Sequence, residues 1–268
     1  MSAQKLTSFK IFSKSGKSVK YKKMIKSLND AEVIFFGELH NNPICHWLEM
    51  EVVKSMDASH NIAVGMEMFE TDTQKDLDSY LNDEMESKEF LEKCRAWNNY
   101  KTDYAQIVEY AKTKKFPVIA SNVPRRYANM VYKEGFEVIE SLVVDEKQWM
   151  APLPIPYDAS LPGYVKMLEM VGGHGGDNFP KAQAIKDATM AHSILKYLPD
   201  NGKMVHLNGA YHSNDFEGIL WYINQYQPDV TMQTITSVVQ SDINELEEES
   251  LGKADFIIVI DEDVTTSY

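Results

Sequence analysis

The stretch Phe35-Phe36-Gly37-Glu38-Leu39-His40 ends an apolar run in a glycine and then presents a carboxylate and an imidazole. Far downstream, His206-Leu207-Asn208-Gly209-Ala210-Tyr211-His212 repeats the arrangement of apolar run, glycine and a histidine three residues on. A third stretch, Gly65-Met66-Glu67-Met68-Phe69, buries a carboxylate inside an apolar run, where an unpaired charge is costly. Glu67 therefore needs a partner. His40, Glu67 and His212 suit a divalent ion such as zinc or manganese, and with Glu38 they equally suit a general acid and base pair without any metal. The spacing fits both.

Groups so far apart in the chain meet only if the fold carries them to one edge. Apolar runs of strand length alternate with segments of helical period, which predicts strands at Ala31 to Phe36, Ile62 to Met68 and Phe116 to Ala120. Helices are expected at Ile44 to Met56, after Thr71, near Lys88 to Arg95, from Asp103 to Lys114, and after Pro124 as far as Gly135. From Lys147 to Phe179 the rhythm breaks into a proline- and glycine-rich excursion with one helical stretch at Tyr164 to Met170, read as a lid or insert. It resumes with a helix from Lys181 to Tyr197, a strand at Lys203 to Leu207, a helix from Ser213 to Tyr226, and strands at Thr231 to Val239 and Asp255 to Ile260.

This pattern reads as one α/β domain over residues 1–268: a mostly parallel sheet with helices on both faces and a helical or loop insert at 147–179. Ligands of such sheets gather beyond the carboxyl ends of the strands. Glu38, His40, Glu67, Asn122, Arg125 and His212 all fall at or just past such ends, so they are expected to converge in one crevice. Asp187 lies one helical turn after Gln183, with Arg125 an obvious partner for its charge, whereas His46 and His60 read as an ordinary helix residue and a loop residue. Trp97, Trp149 and Trp221 read as core or interface aromatics.

Composition excludes several classes. A formal charge of -13 over 268 residues leaves no basic surface for nucleic acid, and no run of about 18 apolar residues is present to span a bilayer. The exception is the amino end, with eight lysines and no acidic residue from Lys5 to Lys26, read as a solvated entry segment. Cys45 and Cys94 allow at most one bridge and fit no metal-ligand spacing. No secretory signal is visible in the opening MSAQKLTSF.

Taken in order, GELHNN, GMEMFETDTQ, SNVPRRYA, AQAIKDATMAHSI and HLNGAYH resemble the ChaN-like haem-binding uptake proteins, the iron-regulated lipoprotein branch of the Tiki superfamily, over about residues 31–214. On this resemblance Gly37, His40, Gly209, His212 and Glu67 match the superfamily's core pattern, while Arg125, Gln183, Asp187 and Met190 match the ChaN branch. Other branches include metal-dependent proteases and, more distantly, erythromycin esterase-like enzymes. The resemblance implies haem as cofactor and a place in the bacterial cell envelope, periplasmic or lipid-anchored in the full-length form.

Haem needs an iron ligand, apolar walls and polar anchors for its propionates. The insert offers Tyr157, Tyr164, Met167, Met170 and His174 in a short span, with Tyr164 the first choice of iron ligand. Two function classes stay open. In one, a haem-binding protein of iron uptake holds its cofactor on the insert, alone or paired with a second copy in a homodimer. In the other, a metal-dependent hydrolase binds its ion through His40, Glu67 and His212 while Glu38 or Glu67 activates water and Arg125 assists.

Overall fold

The chain is described here from a computed structural model covering residues 7–170 and 176–268, so His174 lies outside the described residues. Its first half runs β1 (Phe9–Ser13), α1 (Tyr21–Leu28), β2 (Val33–Glu38), α2 (Pro43–Asp57), β3 (Ile62–Glu70), α3 (Gln74–Leu81), α4 (Ser87–Lys93), α5 (Ala105–Lys114) and β4 (Val118–Asn122). Next come α6 (Arg125–Glu134), α7 (Glu137–Glu140), α8 (Val144–Lys147), α9 (Pro162–Met170), α10 (Asn178–Tyr197), β5 (Lys203–Gly209), α11 (Ile219–Tyr226), β6 (Met232–Gln240) and β7 (Phe256–Asp261). The seven strands make one sheet in the order β1-β7-β6-β2-β5-β3-β4. Every pairing is parallel except that of β1 with β7.

The pleat of β2 explains why its sequence is apolar from Val33 to Phe36. Ile34 and Phe36 enter one core with Leu48 of α2, Leu77 of α3 and Ile107 of α5, while Val33 and Phe35 enter the other with Tyr127 of α6, Ile185 of α10 and Ile223 of α11. Each strand side chain is covered by helices whichever way it points, as in doubly covered parallel sheets. The insert is tied to this second face: Tyr222 of α11 donates to the Pro156 carbonyl at 2.8 Å, and Tyr211 donates to the Gly163 carbonyl at 2.9 Å.

Three local differences from the sequence reading have physical causes. The lysine-rich amino end contributes to the core: β1 buries Ile11 and Phe12 and α1 sinks Met24 and Leu28, with Lys10 on the strand and Lys22, Lys23 and Lys26 on the outer side of the helix. The helix expected from Ser213 starts at Ile219 because Asp215 adopts a left-handed φ of 59°, which interrupts the turn. The strands β2 and β5 run on to Glu38 and Gly209, which lie side by side in register. That register brings the two Gly-x-x-His elements to one edge.

Candidate functional site

The two motif glycines work by close approach. A Cβ on Gly209 would lie 2.8 Å from Nε2 of His40, and one on Gly37 would lie 3.0 Å from the Ala210 Cα. Each turn therefore occupies the space a side chain on the other would fill. Neither residue has a positive φ; room for the opposite motif is what glycine supplies here.

Past this edge lies a cavity of about 680 Å³, lined on its polar side by Glu38, His40 and His212 and on its apolar side by Met167, Met170 and Phe179. Glu67 sits beneath, accepting from the Gly209 amide at 2.7 Å and from His212 Nε2 at 3.1 Å. His212 Nδ1 faces Asp187 Oδ1 at 2.5 Å, with the Gln183 amide 2.8 Å from the same nitrogen. The buried trio thus holds one imidazolium between two carboxylates. Burial opposes charge on His212, yet Glu67 and Asp187 outweigh it and push its pKa up to about 10. Burial works against Glu67 as well, and His212 and His40 hold it well below the usual carboxylate range. Asp187 goes the other way: burial pushes it up despite His212, so of the two carboxylates it is the one that first takes a proton as the pH falls.

A second network adjoins the first. His40 Nδ1 donates to Glu38 Oε1 at 2.6 Å, and Tyr104 donates to the same oxygen at 2.7 Å. The other oxygen, Oε2, lies 3.0 Å from Nδ1 of His46, which is 3.2 Å from Glu49 Oε2. His46 Nε2 faces the His40 carbonyl at 3.1 Å. Burial disfavours the Glu38 carboxylate, but hydrogen bonds from His40 and His46 hold its pKa below the usual value. Glu49 is pushed well above it by burial and by the neighbouring Glu38 charge.

Several expectations need correction. Glu38, His40 and His212 line one cavity with Met167 and Met170, but Arg125 does not join them: it opens α6, is exposed, and borders a second cavity with Trp97, Asn98 and Asn99. Asp187 consequently pairs with His212 rather than with Arg125. Asn122 donates to the Glu67 carbonyl at 3.2 Å and so braces β3. Tyr164 is buried, with a hydroxyl that has no hydrogen-bond partner among the described residues, and Tyr157 stacks on it with centroids 5.4 Å apart; neither borders the cavity. His46, read as an ordinary helix residue, is fully buried between two carboxylates; its i,i+3 spacing to Glu49 was the available signal. Among the described residues, Glu38, His46 and Glu49 form the one His/Cys/Asp/Glu group with ligand atoms all within 4.8 Å of one another, and His40, Glu67 and His212 do not. His212 already spends both nitrogens on Glu67 and Asp187.

Trp97 makes an edge-on contact with His40, centroids 5.1 Å apart, and Trp149 and Trp221 are partly buried against the second core. Cys45 and Cys94 are buried and free.

The family described as haem-binding uptake proteins of the Tiki superfamily, ChaN, matches residues 24–223. The chain belongs to that family. Among solved structures, ChaN of Campylobacter jejuni, described for cofacial haem binding, is 18% identical with a TM-score of 0.70, over 96% of this chain and 98% of that one. A Bacillus cereus protein is 12% identical with a TM-score of 0.54, over 95% of each chain. An erythromycin esterase variant in its open conformation is 10% identical with a TM-score of 0.50, over 95% of this chain and 83% of that one. At such identities the likeness is one of fold. A search of curated proteins finds no match. No helix among the described residues is long and apolar enough to cross a membrane.

Proposed function

We propose that this chain binds haem in the cavity at the carboxyl ends of β2 and β5, in the service of haem or iron uptake at the bacterial cell envelope. Family membership over residues 24–223 supports the ligand, and one observation carries its location: a cavity of about 680 Å³ lined by Met167, Met170 and Phe179 together with His40. That volume falls within the roughly 300–1,000 Å³ of small-molecule sites. Met167 and Phe179 offer the porphyrin apolar contact, and Met170, 71% exposed, extends that wall to the rim.

His40 is the iron ligand in this reading. Its Nδ1 is tied to Glu38, and Nε2 has no hydrogen-bond partner among the described residues. A carboxylate on the far nitrogen fixes the tautomer and raises the basicity of the ligating one, which favours ferric iron. Tyr157 and Tyr164 serve instead as the packed base of the insert that carries Met167 and Met170. Hydrolysis through His40, Glu67 and His212 has less support, since Glu67 and Asp187 already engage both His212 nitrogens.

Titration of the pure protein with haemin is expected to give a saturable Soret shift near one equivalent, and His40→Ala to change the band and weaken binding while the fold is kept. No saturable shift would end the haem reading. An unchanged spectrum in His40→Ala would remove His40 as ligand.

A further inference from the structure

We propose that Glu38, His46 and Glu49 form a divalent-cation site beneath the floor of the cavity, suited to Mn²⁺ or Zn²⁺. The three side chains are buried, at 1%, 2% and 0% exposure. Their facing atoms are 3.0 Å and 3.2 Å apart, a spacing compatible with bonds of about 2.0–2.2 Å to a shared ion. Mixed imidazole and carboxylate ligation is what first-row divalent ions accept, whereas softer ions ask for thiolate.

Two observations beyond the clustering point to an ion. Glu49 Oε1 is fully buried with no hydrogen-bond partner among the described residues, and the equally buried Glu38 Oε2 faces His46 Nδ1 at 3.0 Å, inside the cluster itself. An unsatisfied buried carboxylate oxygen is expensive, and two buried carboxylates around one imidazole call for more positive charge than a single proton on His46 supplies. The outer shell is also built as a metal site requires. His46 turns its far nitrogen, Nε2, to the His40 carbonyl at 3.1 Å, the arrangement that fixes a ligating imidazole's tautomer, and Asp103 Oδ2 lies 3.6 Å from the same nitrogen. Glu38 has its outer oxygen held by Tyr104 and His40, which leaves Oε2 for the ion.

Charge balances as well. A divalent ion replacing the His46 Nδ1 proton faces two carboxylates and a neutral imidazole, a net charge of zero within the ligand set. Glu38 borders the cavity, giving the ion a way in, and through Oε1 the same residue holds His40. This site rests on Glu38, His46 and Glu49 alone and does not depend on haem.

The test uses the whole chain, stripped by chelator and kept free of haem, with Mn²⁺ and then Zn²⁺ added and bound metal measured after desalting. About one equivalent is expected to remain. Glu49→Gln and His46→Gln are expected to lose it, while Glu67→Gln, in the neighbouring trio, keeps it. Tyr104→Phe leaves the three ligands and removes only an outer hydrogen bond, so affinity is expected to fall by about 10–100-fold. The nitrogen coupling in the Mn²⁺ electron-spin-echo spectrum of the wild type is expected to report one imidazole. Folding of each variant is checked by circular dichroism, and Glu49→Gln, which deletes a buried carboxylate, is expected to fold in the absence of metal. No retained metal in the wild type, retention in Glu49→Gln, or loss in Glu67→Gln as complete as in Glu49→Gln would each overturn the assignment. In the first case the two carboxylates share a proton instead.

Discussion

Replacing His212 with alanine is expected to lower folding stability by about 3–5 kcal/mol, the range for removing one partner of a buried ion pair. The cause is what remains: Glu67, 6% exposed, and Asp187, 1% exposed, would stay in the interior with no imidazolium between them. Glu67 would keep the Gly209 amide and Asp187 would bind a proton, which limits the damage to the lower part of that range near neutral pH. An exposed Glu247→Ala change is expected to stay within about 0.5 kcal/mol. Urea unfolding followed by circular dichroism measures both, and equal midpoints would mean that the trio contributes no net stability.

The second large effect is on the alkaline side. His46 and His212 both have folded pKa values pushed up to about 10 from 6.5: burial opposes the charge on each, and the surrounding carboxylates outweigh it. A histidine raised in the folded state stabilises fully below the unfolded value and loses that contribution as the pH climbs through the folded one. Stability is therefore expected to fall from about pH 6.5 towards 10, by on the order of a few kcal/mol for each residue. Glu38 and Glu67 act at the other end. Their pKa values are depressed from 4.5, so their contribution is present above that value and fades as the pH drops below it. Glu49 and Asp187 are raised and run opposite to them, which blunts the acid loss. Unfolding free energy of the metal-free chain measured across this range should peak between about 4.5 and 6.5, and the metal-free His212→Gln variant should lose part of the alkaline slope. A flat profile above 6.5 would contradict the ionisation assigned to both histidines.

The sheet was legible because parallel strands buried on both faces read as apolar runs: β2 is one from Val33 to Phe36 and β7 from Phe256 to Ile260, while Glu67 in β3 and His206 in β5 are isolated interruptions. The amino-terminal strand was not, since Lys10 and the lysines around it hide a short antiparallel edge whose inward residues are only Ile11 and Phe12. In the site, the two Gly-x-x-His elements and Glu67 announced themselves by placing polar groups against apolar strands. Asp187 was visible as an acid on an apolar helix face, but its partner was misjudged. Arg125, just past the end of a strand, was the obvious cation for it, yet its place on the first turn of α6 leaves it exposed while His212 fills the interior. His46 and Glu49 escaped notice because a histidine three residues before a glutamate on a helix is usually a solvated pair. Here α2 turns that face toward the sheet edge, and only the packing reveals it.

Tyr164 is placed differently from its sequence reading. A tyrosine opening a helix beside two methionines suggested a phenolate reaching outward for iron, but α9 presents Met167 and Met170 to the cavity and sinks Tyr164 against Tyr157 and Tyr222. Burial drives its phenol far above the usual pKa.

The location of the iron tests this account most directly. Crystals of the haem-loaded chain, measured on both sides of the iron absorption edge, should show one anomalous peak per chain in the cavity between His40 and Met167, within bonding reach of His40 Nε2. A peak elsewhere on the surface, with the cavity at the ends of β2 and β5 free of porphyrin, would contradict it.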